Sequence, residues 1–138
     1  MPPMVESATP ADPVKKIMAE LVATVGYDES LRSVAQELVA DEVGAVVVTS
    51  TGEPLGLISE RDLVTVEATG GDLDTRQAAD VMTTDLVTAR REDSIESVGR
   101  LMLDAGVRHI VIKDGDDMVG LVSMRDVLAV LLEPPVSA

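Results

Sequence analysis

Residues 56–64 read GLISERDLV and residues 120–128 read GLVSMRDVL. The second stretch follows the first by 64 positions and keeps Gly, Leu, Ser, Arg and Asp in step. Working outward, residues 28–64 laid on 92–128 give ten identities: Ser30/Ser94, Ser33/Ser97, Val34/Val98, Val43/Val107, Val47/Val111, Gly56/Gly120, Leu57/Leu121, Ser59/Ser123, Arg61/Arg125 and Asp62/Asp126. Average composition gives roughly two over such a window, so the chain is a duplication. The period is too long for a solenoid. Two copies that cannot each bury a face alone are expected to pack against each other.

Each copy carries the same local signals. A short apolar strand (LVATV, 21–25; LVTA, 86–89) leads to a helix-starting Ser, Ser30 or Ser94. The helix that follows has apolar residues at three- and four-residue spacing: Leu31, Val34 and Leu38 in one copy, Ile95, Val98 and Met102 in the other. Two β-branched runs come next, VGAVVVT (43–49) with PLGLIS (54–59), and VRHIVIK (107–113) with MVGLVS (118–123). The turns STGE and DGDD between them predict hairpins. Ser59 and Ser123 then open a last helix. The pattern is β-α-β-β-α, twice. VKKIMAE (14–20) and AADVMTT (78–84) read as a helical turn introducing each copy, and GGDLDTRQA (70–78) reads as a linker. The expected organisation is a flexible tail over 1–13, a first repeat over 14–69, the linker at 70–78, a second repeat over 79–132 and a tail over 133–138.

The 138 residues suffice for a core, and with no Phe or Trp and a single Tyr, Tyr27, that core is aliphatic. A flat ligand would be held between aliphatic walls. The net charge of −14 opposes nucleic acid and anionic membranes, so neither is expected as a partner. Any phosphate ligand needs cations gathered locally. The chain has no Cys and one His, His109, which excludes disulfides, thiolate metal sites and multi-histidine sites. MPPMVESATPADP lacks the features of a signal peptide, and VGAVVV (43–48) is too short to span a bilayer. A cytoplasmic location is the expectation. Asp114–Asp117 lacks the ligand alternation of a calcium loop and reads as a turn. No phosphate loop of the Walker type is present, nothing places a nucleophile beside His109, and no catalytic or metal residue is assigned.

The repeated Ser-x-x-Asp has two readings. As a capping box, the Ser accepts from first-turn N–H groups while the Asp reaches back. That accounts for Ser and Asp, but not for the Gly three residues earlier or the Arg beside each Asp. As a ligand site, a carboxylate in a first helical turn can accept from both hydroxyls of a ribose, as acidic residues do in dinucleotide folds. Free N–H groups there would welcome a phosphate. Gly56 and Gly120 would let the ligand approach the strand, and Arg suits phosphate. Together these point to a nucleotide.

This pattern resembles tandem cystathionine-β-synthase (CBS) domains, whose copies end in Gly-h-h-(Ser/Thr)-x-x-Asp and open with a Met-containing turn such as KKIM or ADVM. The resemblance covers roughly residues 14–64 and 79–130. It implies an α+β fold in which two β-α-β-β-α units pack their small sheets about a pseudo-twofold axis, leaving clefts between the repeats for adenine nucleotides or adenosyl compounds. Carried over, Asp62 and Asp126 would take the ribose diol, Ser59 and Ser123 sugar or phosphate, and Arg61 and Arg125 phosphate. Val22, Thr24, Val87, Ala89, Ala45, Val46, Arg108 and His109 would lie along the adenine pocket. The implied protein is a non-catalytic regulatory module and a homodimer that signals to a downstream protein. It has no obligatory cofactor; AMP, ADP, ATP, S-adenosylmethionine and NAD are its candidate ligands. The alternative is a ligand-free dimerisation or interaction module whose Ser-x-x-Asp motifs only cap helices.

Three features set this chain apart from the family pattern. The family often has Pro in the middle strand; here the positions are Val47 and Val111, whose N–H groups can tie neighbouring carbonyls into the sheet. The first copy has Gly44 and Ala45 where the second has Arg108 and His109, and Glu60 where the second has Met124. Phosphate is therefore expected to favour the second copy. His109 also has a plain packing reading, and Arg61 and Arg125 a salt-bridge reading.

Overall fold

A computed structural model describes residues 8–20 and 23–132. The chain divides into two compact units, one of residues Val22–Leu86 and the other of Met1–Leu21 with Val87–Ala138. In the first, β1 (Thr24–Gly26), β2 (Ala45–Ser50) and β3 (Glu53–Ser59) form a sheet in the order β1-β2-β3, covered by α1 (Leu31–Asp41) and α2 (Glu60–Ala68). A single-turn helix, α3 (Ala78–Val81), completes it. In the second, β4 (Thr88–Arg90), β5 (His109–Asp114) and β6 (Asp117–Ser123) are joined by α4 (Ile95–Ala105) and α5 (Met124–Leu131), and a 3-10 turn at Val14–Lys16 takes the place of α3. The β-α-β-β-α pattern is present twice.

The elements form for the reasons legible in the residues. Ser30 and Ser94 accept from the N–H groups of Ser33 and Ser97 and so start α1 and α4. Leu31, Val34 and Leu38, or Ile95, Val98 and Met102, line one stripe of each helix and are buried. In β5, Ile110 and Ile112 enter the core of the second unit, as Val46 and Val48 enter that of the first. Each β-hairpin carries a register shift at the same place, between Val48 and Thr49 and between Ile112 and Lys113. The turns hold Thr51 at φ 51° with Gly52 at φ 83°, and Gly115 at φ 62°. The DGDD segment is thus a hairpin turn.

Three expectations are corrected. The first strands are three residues long and set later, at 24–26 and 88–90, because pairing with β2 and β5 defines them. Residues 10–13, read as part of a flexible tail, are fixed: the carbonyls of Pro10 and Asp12 accept from the first-turn N–H groups of Glu96 and Ile95. The 70–78 linker does the same for α1, with Leu73 and Arg76 carbonyls accepting from Arg32 and Leu31 and Arg32 ion-paired to Asp74.

The opening turns exchange places. Each belongs in space to the unit built from the other repeat. Thr83 pairs with Leu57 and Ala19 with Leu121, in two isolated antiparallel bridges at corresponding positions. Ala78 is in the core of the first unit and Val14 in that of the second. A Cβ on Gly56 would lie 2.7 Å from the Thr83 carbonyl oxygen and 3.1 Å from Met82 Cβ. On Gly120 it would lie 2.6 Å from Met18 Sδ and 3.0 Å from the Ala19 carbonyl oxygen. An opening turn thus lies where a side chain at either position would stand, which accounts for glycine there without a ligand.

Candidate functional site

In each repeat the last strand ends on the serine that caps the last helix, Ser59 for α2 and Ser123 for α5. Ser59 N donates to Asp62 Oδ2 at 2.8 Å, Asp62 N donates to Ser59 Oγ at 3.3 Å, and Ser59 Oγ donates to Asp62 Oδ2 at 3.1 Å. The Ser123–Asp126 pair repeats this at 3.0, 3.1 and 2.8 Å. Both motifs are complete capping boxes. The start of the neighbouring strand lies beside the cap. Ala45 is the register partner of Ser59 and His109 that of Ser123. Glu60 N donates to the Gly44 carbonyl at 3.0 Å, and Met124 N to the Arg108 carbonyl at 2.7 Å.

This arrangement leaves less for a phosphate than the sequence suggested. Of the four N–H groups at the start of α2, those of Ser59, Glu60 and Asp62 have partners, and only that of Arg61 has none among the described residues. In α5 only that of Arg125 is left in the same way. An anion here depends on side chains. What remains open in both copies is the second carboxylate oxygen: Oδ1 of Asp62 and of Asp126 accepts no hydrogen bond among the described residues. Such an oxygen can accept from a hydroxyl while Oδ2 holds the helix start.

The side chains at the two corners differ in sign. At the second, Arg108 and Arg125 are exposed, neither forms an ion pair among the described residues, and His109 is half-buried. At the first, Arg61 is the matching cation, also without an ion pair among the described residues. Beside the exposed Gly44 stands Glu60, whose Oε1 lies 3.0 Å from where a Cβ would stand. The contrast extends through the units. The unit of residues 22–86 carries Arg32, Arg61 and Arg76 against thirteen carboxylates, a net charge of −10. The other carries the remaining eight cations against twelve carboxylates, a net of −4.

The other residues singled out from sequence are placed as follows. Val46 and Ala89 point into the cores, so only their backbone can meet a ligand. Val87 packs on the core of its unit, and its carbonyl accepts from Val111 N at 3.1 Å. The Ala23 carbonyl accepts from Val47 N at 3.1 Å. Valine in place of proline therefore ties both carbonyls into the sheet. Thr24 is exposed opposite Val47, and Val22 lies outside the described residues. A depression of ≈ 710 Å³ lies at the far end of the second unit's sheet, along Thr88–Arg90, Glu92, Asp93 and Lys113–Gly115; of the expected site residues it contains only Ala89. Met18 and Met82 were missed as partners of the motif. Their signal was present, since they too stand 64 positions apart. Among the described residues no helix is long and apolar enough to cross a membrane.

Comparison with known proteins gives the same two segments. The CBS domain family matches residues 14–68 and 78–133. An uncharacterized protein, MK0525, of Methanopyrus kandleri is 31% identical over 112 residues, which are 79% of this chain and 57% of that protein. This chain thus spans little more than half the length of that relative. Among solved structures, the CBS-domain containing protein ATU1752 of Agrobacterium tumefaciens is 30% identical with a TM-score of 0.79, covering 88% of this chain and 95% of that one. The CBS domain protein PAE2072 of Pyrobaculum aerophilum, complexed with AMP, is 26% identical with a TM-score of 0.77, covering 87% and 95%. The CBS domain pair of protein MJ0100, in complex with 5′-methylthioadenosine and S-adenosyl-L-methionine, shares the fold at 19% identity and a TM-score of 0.77, covering 88% and 97%.

Proposed function

Because this chain belongs to the CBS domain family, we propose that it is a non-catalytic regulatory module that senses an adenine nucleotide, held chiefly at the Ser123–Asp126 corner of the second repeat. The observation that carries the reading is the pair of half-used carboxylates: Asp126 caps α5 through Oδ2 and keeps Oδ1 for a ribose hydroxyl. Arg108 and Arg125 supply the local cations that a phosphate needs in a chain of net charge −14, and His109 stands beside them on the strand. The AMP bound to PAE2072 supports the ligand class. Binding shifts the module between states only by the ligand's differential affinity for them, and a second copy and a downstream protein in the cytoplasm would read that shift.

Titration calorimetry with AMP, ADP and ATP tests this. Asp126→Ala should weaken nucleotide binding by roughly ten- to a hundredfold, the worth of a charge-assisted hydrogen bond of about 1.5–3 kcal/mol. Arg108→Ala should weaken ATP more than AMP. Unchanged affinity in Asp126→Ala, at intact fold, sinks the reading.

A second reading is favoured by the completeness of the caps: three of the four N–H groups at each helix start are satisfied from within the chain. Under it the protein is a dimerisation or interaction module with no ligand. Asp126→Ala then lowers only stability, by about 0.5–2 kcal/mol. Steady levels of ATP, ADP and AMP on long incubation with the purified protein would support the absence of catalysis in either reading.

A further inference from the structure

Resting on the nucleotide reading above, we infer that the two repeats take adenosyl ligands of opposite charge: the first-repeat corner at Ser59–Asp62 holds one without phosphate and with a positive centre, such as a sulfonium, while the second holds phosphate. Internal duplication places two versions of one corner in the same chain. The scaffold is the same at both corners, with the same capping box and the same register of the adjoining strand. The charges around it are not.

Three pairs of matched positions differ, and all in one direction. Arg108 is replaced by Gly44, His109 by Ala45 and Met124 by Glu60. The first of these exchanges works through shape as well as charge. With no side chain at Gly44, the Glu60 carboxylate lies over the backbone there, 3.0 Å from the Cβ position, where the second repeat has the stem of an arginine. The exchanged opening turns differ in the same sense at the level of the whole unit: Lys15 and Lys16, the latter paired with Asp12, belong to the second unit, and the matching Ala79 and Asp80 to the first. Arg61 is the cation of the first corner's motif, held between Glu60 and Asp62 in sequence, and Arg32 of the same unit is engaged with Asp74.

Asp62 Oδ1 is as open to a ribose hydroxyl as Asp126 Oδ1, so the sugar does not discriminate. The group on the ribose 5′ carbon does. A phosphate meets Glu60 and a unit of net charge −10, with the Arg61 N–H as the only unpaired donor among the described residues at the helix start. A sulfonium meets a carboxylate of the sign it prefers. The expected order at the first corner is S-adenosylmethionine, then neutral 5′-methylthioadenosine, then AMP; at the second it is reversed.

Calorimetry on the whole chain separates the outcomes. AMP should fill one site per chain, and S-adenosylmethionine should still bind to protein saturated with AMP. Glu60→Gln should weaken S-adenosylmethionine about five- to tenfold and leave AMP unchanged within twofold, while Asp126→Ala should weaken AMP by roughly ten- to a hundredfold and leave S-adenosylmethionine unchanged within twofold. Competition of the two ligands for one site overturns the inference, as does binding of AMP with no binding of S-adenosylmethionine. Equal loss of both ligands in Glu60→Gln, with an unchanged melting temperature, also overturns it. In these three cases the nucleotide reading stands; if no adenosyl compound binds the wild-type chain at all, both fall.

Discussion

Replacing Gly120 and Gly56 by Ala decides whether these glycines serve a ligand or an opening turn. At Gly120 the new Cβ would stand 2.6 Å from Met18 Sδ and 3.0 Å from Met18 Cγ and the Ala19 carbonyl oxygen. Most of that conflict is with a flexible side chain, which can swing away and lose its packing. At Gly56 the nearest atom is the Thr83 carbonyl oxygen at 2.7 Å, which belongs to backbone bridged to Leu57 on both sides. It cannot move without breaking the two hydrogen bonds of 3.0 and 2.9 Å between those residues. Overpacking of this kind costs about 1–3 kcal/mol. Gly120→Ala belongs at the lower end and Gly56→Ala at the upper. At the usual unfolding entropy per residue, 1 kcal/mol is about 3 °C in a chain this long, so losses of roughly 3 and 9 °C are expected.

The double variants sharpen the test. Met18→Ala removes the side chain that Gly120→Ala strikes, so the two losses should fall short of additive by about 1 kcal/mol. Met82→Ala leaves the Thr83 carbonyl in place, and the Gly56→Ala loss should persist in its presence. Differential scanning calorimetry of the four single and two double variants measures all of this. If Gly120→Ala keeps the wild-type melting temperature and instead abolishes AMP binding, the glycine serves the ligand and the packing argument is refuted.

Other expectations follow from the duplication and from the charges. Glu42 ends α1 at φ 54°, where the matching Gly106 ends α4 at φ 69°. Glu42→Gly should therefore stabilise by about 1 kcal/mol and Gly106→Ala destabilise by a similar amount, both read from urea midpoints. Val111→Pro removes the 3.1 Å bond to the Val87 carbonyl; it should lower stability by about 1–3 kcal/mol and, with that carbonyl freed, leave AMP affinity equal or higher by calorimetry. The hydrogen-bonded neighbour Asp41, with its charge, raises the pKa of Glu37 above its ordinary value. A carboxyl whose folded pKa is raised holds its proton longer folded than unfolded, so its contribution declines as pH rises through the acidic range. Glu37→Gln should accordingly gain melting temperature relative to wild type between pH 4 and 7, and no gain would contradict the pairing.

The parts legible in the sequence are those determined within a few residues. Ser59 and Ser123 declared helix starts because a cap is a three-residue affair, and Ile110 and Ile112 declared an inward face because a strand alternates. The hairpins followed from Gly and Asp in the turns. What escaped depended on residues far apart along the chain. Met18 meets Gly120 across 102 positions, and the Pro10 and Asp12 carbonyls find α4 across more than 80. No local pattern reveals such a contact, and a Pro-containing tail reads as loose until the helix it caps is placed beside it. The candidate corner was legible in its capping residues and misread in its free donors. An unpaired first turn was expected to receive phosphate, but the Gly44 and Arg108 carbonyls, contributed by the preceding strand region, already occupy one N–H of each.

That occupation bears on why the motif is written with Asp and not with a better cap alone. A serine cap by itself satisfies one N–H and leaves the serine's own N–H open. The aspartate closes that second group and, having two oxygens, needs only one of them to do it. The spare oxygen is held by the same bonds that stabilise the helix start, so its position costs no additional ordering when a hydroxyl arrives. Under the sensing proposal capping and binding are one arrangement, so a loss of stability alone does not separate them. A discriminating substitution must keep the cap and remove the charge. Asp126→Asn does this, since its side-chain oxygen can still accept from Ser123 N while the remaining group becomes a donor. Under the sensing proposal it should lose nucleotide affinity about tenfold with a melting temperature within a few degrees of wild type, and equal affinity would leave the carboxylate as a cap alone.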